Sequence, residues 1–337
     1  MRCIEALLLT CLFLCGGYGT YSDIKKGIIP NRLIVIGLIA GTILHVIMLF
    51  LGGAPYYPTW LMNMAIADIL AFCLFWGKLW AAGDSKLFML LYFLFPPMLL
   101  DHGSLSYCIV PYIFIFVPAL LWMIIDSTIR LIRKEPRKHN RINIGKIVIH
   151  CFFVIIETTA FATLLLIVFP VFIQEQPMFF SAFILLYAYI CGINDWMKKW
   201  YILALHILIL LVAAILNAWA FTLPSWENYL FMALALFIQW YCSLYNYQLI
   251  KTSSIRKGMI PAAETVISFQ VSKVHSLPQD PSEEITARIT EEEAAAIRRW
   301  ESSAKGKPEI WIVRKVPFAI MITIGFIIWV IVRNVWR

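Results

Sequence analysis

The chain has 337 residues, of which 61% are hydrophobic and only 14% are charged, and its mean hydropathy is +0.79. Soluble globular domains are about half apolar and about a quarter charged, so this composition excludes a water-soluble globule and predicts a polytopic membrane protein. The net charge of +8 does not indicate nucleic-acid binding, because the basic residues lie in short loops between apolar runs, where they set membrane orientation.

Ten apolar runs approach the length of about 17–25 residues that a membrane-spanning helix needs. The first is predicted to be a span and not a cleaved signal peptide, because it has no basic n-region beyond Arg2 and no small-x-small cleavage site. The fourth is short and contains Pro96-Pro97, which predicts a kinked or re-entrant segment. The predicted fold is an all-α polytopic membrane protein of about ten spans, near residues 3–21, 33–51, 59–79, 86–100, 106–126, 147–170, 178–194, 200–222, 228–249 and 316–334.

Loop charges predict the orientation of these spans. Alternate loops carry Lys and Arg, whereas the loops at 52–58, 101–105, 171–177 and 223–227 carry neither. By the positive-inside rule the basic loops face the cytoplasm and the N-terminus lies outside, with the protein in the cell membrane. The strongly basic loop at 126–146 is interpreted as a topology determinant, and binding of anionic lipid headgroups is the alternative.

Residues 251–315 differ from the rest, because they carry nine acids and eleven Lys+Arg. This composition predicts a small cytoplasmic module, too short and too polar for a large core. A capping box of Thr290 and Glu293 predicts a helix at about 290–303. The predicted division is therefore a membrane core of spans 1–5 at 1–126, further membrane helices at 127–250, the module at 251–315 and a C-terminal transmembrane helix at 316–337.

Outside the module only eleven acids remain, and each is costly in lipid. Asp23 ends the first predicted span and Asp84 ends the third, so two crossings separate them and both return to the cytoplasmic face. Two carboxylates brought close share one proton, so one can act as a base on water and the other as an acid on a scissile carbonyl. Each alone is an ordinary helix-end acid, and their occurrence together at one face favours a site.

The stretch Asp23-Ile24-Lys25 followed by Ile29-Pro30-Asn31, and the stretch Gly83-Asp84-Ser85-Lys86-Leu87, resemble the motifs of type IV prepilin peptidases and archaeal preflagellin peptidases. These are GxGD-type membrane aspartyl proteases, and the resemblance covers roughly residues 20–90. It implies an aspartic endopeptidase that removes the short basic leader from prepilin-like or preflagellin-like single-span precursors at the cytoplasmic membrane face. The catalytic pair would be Asp23 and Asp84, supported by Gly83, Lys26, Lys86, Pro30 and Asn31.

Two departures from that family limit what the resemblance implies. Ala81 stands where the GxGD motif has its first glycine, which we interpret as tolerated variation because alanine is also small. The larger bacterial enzymes have a zinc-binding loop with paired CxxC motifs and also N-methylate their product, whereas this chain has a short connection without cysteine and no recognisable methyl-donor site. Peptidase activity without methyltransferase activity, and no cofactor or metal, is therefore the expectation.

Two other functions are compatible with the sequence. A transporter would use Asp68, Glu157 and Asn217 to line a path, although contacts between helices, for Asp68 together with Asn63, explain such residues as well. Asp68 precedes Asp84 by sixteen residues, about 24 Å along a single helix, which predicts that Asp68 lies in the outer half of the third span. The other alternative is a non-catalytic assembly factor that binds pilin-like helices. Membrane lipids are partners in every case.

Overall fold

The computed structural model of the chain describes residues 1–76, 80–100, 106–136, 144–171, 199–215, 244–272, 274–283, 287–314 and 317–335, with short pieces between 180 and 191 and between 234 and 242. The helices in these residues are α1 (Arg2–Lys26), α2 (Asn31–Met48), α3 (Tyr57–Trp76), α4 (Ala82–Phe93), α5 (Val110–Ile132), α6 (Ile144–Val168), α7 (Trp200–Ile215), α8 (Ala263–Gln270), α9 (Glu291–Glu301) and α10 (Phe318–Val335). The strands are β1 (Tyr247–Lys251), β2 (Ile260–Pro261) and β3 (Glu309–Val313).

Local sequence signals set the limits of the first helices. α1 ends where Gly27 adopts a left-handed conformation at φ 71°, and the Gly27 amide donates to the Asp23 carbonyl at 2.9 Å. Glycine suits this ending because it has no Cβ. Pro30 has extended backbone and immediately precedes α2. Gly52, at φ 89°, interrupts the helical run between α2 and α3 and lets the chain reverse there.

Glycines on α1 and α2 allow these two antiparallel helices to pack closely. A Cβ added to Gly19 would lie 3.5 Å from a methyl of Leu33, and one added to Gly37 would lie 3.1 Å from the Cys15 sulfur. The pairing of 19 with 33 and of 15 with 37 fixes their opposite directions. Small residues favour such contacts in membranes, where the gain comes from van der Waals packing.

The helices α3 and α4 also run antiparallel, and side-chain hydrogen bonds to backbone join them at both ends. The Ser85 hydroxyl donates to the Ala71 carbonyl at 3.1 Å, and the Trp60 indole donates to the Phe95 carbonyl at 3.0 Å. In an apolar environment a backbone carbonyl left without a hydrogen bond is costly, so both bonds favour this packing. Asp84 therefore starts a helix that returns into the bundle.

The C-terminal helix α10 completes this N-terminal bundle instead of extending the chain away from it. The Thr323 hydroxyl donates to the Gly16 carbonyl on α1 at 3.1 Å, and Arg333 Nε donates to the Leu99 carbonyl at 2.7 Å. On the α5 side, Gly325 lies directly against Ile115. The final helix therefore packs on helices from the first 126 residues, although 127–317 separate them in the sequence.

Buried aromatic rings fill the centre of the bundle, around α4. Phe95 stacks on Trp329 with ring centroids 3.8 Å apart, and Phe88 stacks on Tyr112 at 4.5 Å. Such pairs add to the free energy of burying large apolar side chains. The fully buried large residues of this core include Leu8, Leu12, Met48, Leu87, Leu90, Phe88, Tyr92, Phe95, Phe326 and Trp329.

The fourth predicted span is the short central helix α4, only 12 residues long. It ends before Pro96, which has extended backbone and leads into a single 3-10 turn at Pro97–Leu99. At 1.5 Å per residue α4 is about 18 Å long, less than the roughly 30 Å of a bilayer's hydrocarbon core. The predicted interruption at Pro96-Pro97 is confirmed.

A second group of apolar helices follows, with α6 packed against α7. Val154, Cys191 and Ile202 are buried together there, with Tyr187 at their margin. The seventh and ninth predicted spans, near 178–194 and 228–249, lie largely outside the described residues.

Residues 247–313 fold into a small module with one antiparallel sheet in the order β1-β3-β2. Tyr247 pairs with Val313, so the chain enters and leaves the module side by side. The predicted helix is confirmed as α9: the Thr290 hydroxyl accepts from the Glu293 amide at 3.2 Å, and the Glu293 carboxylate accepts from the Thr290 amide at 2.7 Å. The module has more core than predicted, formed by Ile255, Phe269, Leu277, Ile289, Ala294, Ala296, Ile297, Trp300, Ile310 and Ile312.

The chain is predominantly helical, but the expected ten spans are not found. In the described part of the chain, four helical segments have the length and hydropathy to cross a membrane, and Phe152–Val168 and Trp200–Ile215 are shorter apolar helices. One of the four, Asn31–Trp76, contains two predicted spans joined at the Gly52 reversal. Among the described residues, the fourth predicted span is the short and largely buried α4, and the last residues of the ninth predicted span belong to strand β1.

Candidate active site

Asp23 lies on the last turn of α1, at the end of the bundle where α2 begins. Its side chain is buried, with 6% of its surface exposed. The neighbouring Ser22 hydroxyl donates to the Ile28 carbonyl at 2.8 Å, which holds the turn after α1 close to the helix. A buried carboxyl at a helix end is thus followed by a fixed reversal through Gly27 and Pro30.

Asp84 lies in the first turn of α4 and is half-buried. Its Oδ2 accepts a hydrogen bond from the Ala81 amide at 3.3 Å. The position combines that bond with the positive end of the helix dipole, and both stabilise a negative charge. The Asp84 carboxyl is therefore held at a defined position at the N-terminus of the short central helix.

Two contacts join the segment after Asp23 to the turn that carries Asp84. A Cβ on Gly83 would lie 3.5 Å from the side chain of Ile29, so Ile29 packs over Gly83 with no space left between them. The Lys86 ammonium donates to Asn31 Oδ1 at 3.2 Å. The structure thus brings together four of the supporting residues predicted from the sequence, Gly83, Lys86, Pro30 and Asn31, while Lys26 is exposed on the last turn of α1.

Trp80 anchors the turn that leads to Asp84. Only 3% of its surface is exposed, and its ring stacks on Tyr112 at 5.6 Å and contacts Phe88 at 5.5 Å. Phe318, at the start of α10, lies 5.7 Å from the same ring. The sequence did not single out Trp80, because a tryptophan in an apolar segment carries no signal of its position.

Ion pairs join the module to the same end of the bundle. Asp126, on α5, accepts from Arg130 Nε at 2.9 Å and also pairs with Arg314, which leads from β3 towards α10. Arg130 further pairs with Glu135, and the Arg314 guanidinium lies 5.3 Å from the Trp122 ring centroid. Burial lowers the pKa of the Arg314 guanidinium, and Asp126 opposes that shift. Part of the loop interpreted as a topology determinant therefore also fastens the module.

Asp68 lies closer to the candidate site than the sequence predicted. The separation of about 24 Å assumed one continuous helix, whereas Asp84 is on α4, which folds back along α3. Ala71 accepts the hydroxyl of Ser85, the neighbour of Asp84, and Asp68 is one turn away from Ala71, about 4.5 Å along the axis. Asp68 Oδ1 is buried with no hydrogen-bond partner among the described residues.

The other residues singled out in the sequence occupy separate places. Asn63 makes a polar contact away from its own helix, because its Oδ1 accepts from the amide of Cys108 at 2.9 Å, in the 3-10 turn that precedes α5. Glu157 is buried in α6, and Asn217 lies outside the described residues. Among the side chains that the structure describes, no group of three or more His, Cys, Asp or Glu is arranged to hold a metal ion.

The arrangement can support acid–base chemistry by two carboxyls at one end of an apolar bundle, where Asp23 is buried and Asp84 is half-buried. No family model, no curated protein and no solved structure matches the chain.

Proposed function

We propose that the chain is a membrane aspartyl endopeptidase of the prepilin peptidase type, with Asp23 and Asp84 as its catalytic pair. One observation carries the proposal: the Ile29 segment after Asp23 packs on Gly83, beside Asp84, at one end of a helical bundle. The sequence motifs that resemble this family occupy the two sides of that contact. Both carboxyls belong to helix ends, where water reaches them more easily than at the bilayer centre.

In the proposed reaction the two carboxyls share one proton. The ionised carboxylate removes a proton from a water molecule, which attacks the scissile carbonyl, while the protonated partner donates to the carbonyl oxygen. Collapse of the tetrahedral intermediate releases the leader with a new carboxylate and the mature protein with a new amine. No metal or cofactor takes part, and no methyl transfer follows.

The substrate would be a single-span precursor with a short basic leader. Its apolar helix would dock laterally against α1 to α4 in the cell membrane, with the leader in the cytoplasm among anionic headgroups and near the two acids. The N-terminus of the chain would lie outside, so that the end carrying Asp23 and Asp84 faces the cytoplasm. The exposed Lys25 and Lys26 and the exposed Arg32 at that end agree with the positive-inside rule.

The test is co-expression with a prepilin-like precursor and comparison of precursor and mature forms by size. Asp23→Asn and Asp84→Asn should each leave the protein in the membrane and reduce processing by about 100-fold to 10,000-fold, the usual contribution of a general acid or base. Asp68→Asn is the matched control, because it removes a nearby acid outside the proposed pair. Normal processing by either dyad variant would refute the assignment.

The same variants separate the proposal from its alternatives. A transporter that uses Asp68 and Glu157 would lose function on their substitution and retain it in Asp23→Asn. An assembly factor would bind the precursor without cutting it, so cross-linking would capture intact precursor on the unmodified protein.

A further inference from the structure

A row of buried polar side chains crosses the second helical group, away from the candidate active site. Glu157 on α6 and Cys191 are each 1% exposed, and His206 on α7 is 8% exposed. Tyr187 lies between them and is half-buried. Four titratable side chains in apolar helices are costly unless they satisfy one another.

Polar interactions connect the four side chains into one chain. His206 Nε2 lies 2.7 Å from the Tyr187 hydroxyl oxygen. The Tyr187 hydroxyl also interacts with the Cys191 thiol, which in turn interacts with the Glu157 carboxyl. A continuous path therefore leads from an imidazole to a carboxyl through two groups that can each accept one proton and donate another.

The hydrogen bond at Nδ1 of His206 determines which nitrogen of the imidazole carries the hydrogen. His206 Nδ1 lies 2.8 Å from the Ile202 carbonyl oxygen, which can only accept, so Nδ1 carries a hydrogen. Nε2 is therefore the atom that gains or loses a proton. That atom is the one that faces Tyr187.

The chain of bonds has two complete proton arrangements. In the first, a doubly protonated His206 donates to Tyr187, the tyrosine hydroxyl donates to Cys191, and the thiol donates to an ionised Glu157. In the second, Glu157 is a neutral acid that donates to Cys191, the thiol donates to Tyr187, and the hydroxyl donates to Nε2 of a neutral imidazole. One proton leaves His206 and one arrives at Glu157, while tyrosine and cysteine end as they began.

The environment of Glu157 determines which of the two proton arrangements is favoured. Its Oε1 is buried and has no hydrogen-bond partner among the described residues. An ionised carboxylate whose oxygen lacks a hydrogen-bond partner in an apolar site is unfavourable. The attraction between two buried charges offsets the cost of removing them from water only when their geometry is good. The titratable groups facing Glu157 in the described residues are Cys191, Tyr187 and His206.

We propose that Glu157, Cys191, Tyr187 and His206 form a proton relay within the membrane helices, in which the bound ligand is a proton shared between His206 and Glu157. This site is separate from the proposed peptidase centre and does not depend on it. The Phe161 ring stacks on Tyr187 with ring centroids 4.0 Å apart. The relay links α6, α7 and the segment around 187–191.

The test measures how strongly Glu157 and His206 are coupled through Tyr187. The full chain, labelled at histidine, is titrated in detergent by NMR, and the His206 signal is assigned from its loss in His206→Gln. Glu157→Gln should shift the midpoint of the His206 titration by about one pH unit, a tenfold change in proton affinity. In the Tyr187→Phe background, which keeps the ring and removes the hydroxyl, the same substitution should cause less than about a third of that shift.

Further variants separate the relay from simple attraction between charges. Cys191→Ser keeps a group that both donates and accepts and should preserve the coupling, whereas Cys191→Ala should remove it. Phe161→Leu removes the stacked ring without breaking the path and should leave most of the shift. Equal shifts with and without the Tyr187 hydroxyl, or no shift in either background, would overturn the relay.

Discussion

A substitution at Gly325 tests whether α10 packs against α5 in the N-terminal bundle. A Cβ at this position would overlap Ile115 Cγ1 and lie 2.9 Å from the Ile115 backbone nitrogen. Neither atom is the end of a flexible side chain, so α10 and α5 must separate. We expect Gly325→Ala to lower the free energy of unfolding by about 1–3 kcal/mol, the usual cost of overpacking.

The assay can use the buried thiols of the bundle. Cys15 and Cys108 are buried and belong to no disulfide, so a thiol-reactive dye reports their exposure as the protein is heated in detergent. Gly17→Ala is the matched control, because a Cβ on Gly17 meets nothing within 4 Å. Since alanine favours helix over glycine by about 1 kcal/mol, Gly17→Ala should be neutral or stabilising. If Gly325→Ala melts no lower than Gly17→Ala, the packing of α10 against α5 is wrong.

The remaining predictions concern the module and its attachment. Asp126→Asn should destabilise the chain by about 1–3 kcal/mol, because Arg314 loses its ionic partner in a largely buried place. Limited proteolysis should then cut faster near residue 314, and the double variant with Arg314→Met should recover part of the loss. Equal proteolysis of the unmodified chain and both variants would contradict the ion pair between Asp126 and Arg314. Thr290→Ala removes the cap of α9 and should cost about 0.5–2 kcal/mol in thermal unfolding, whereas Thr290→Ser should cost almost nothing, and equal losses would argue against the cap. Trp300→Ala should cost about 3–5 kcal/mol, because Trp300 is fully buried against Phe269, and an unchanged melting temperature would show that the module core is not as described.

Features encoded by a few neighbouring residues could be predicted from the sequence. The capping box at Thr290 and the break at Pro96-Pro97 both follow from local backbone chemistry. The candidate pair could also be proposed from the sequence, because the alternation of crossings predicts that Asp23 and Asp84 lie at the same end of the bundle. These predictions needed no knowledge of which helices touch.

Features that depend on packing between distant segments could not be predicted in this way. Hydropathy marks α10 as apolar but does not say which helices it contacts, and its place beside α5 depends on the absence of a side chain at Gly325. β1 was assigned to the end of the ninth span, because a short apolar run does not distinguish a strand from a helix end. The position of Asp68 relative to Asp84 depends on α4 folding back along α3, which hydropathy alone does not show.

The most direct test of the proposed function is single-turnover cleavage by the purified, reconstituted chain in isotopically labelled water. The substrate is a prepilin-like precursor with a short basic leader, and the released leader is analysed by mass spectrometry. If Asp23 and Asp84 activate water, the heavy oxygen appears in the new carboxylate of the leader, and neither Asp23→Asn nor Asp84→Asn yields labelled product above background. Cleavage by Asp84→Asn at the rate of the unmodified protein would contradict the aspartate pair, and an uncut precursor with the unmodified protein would contradict the peptidase itself.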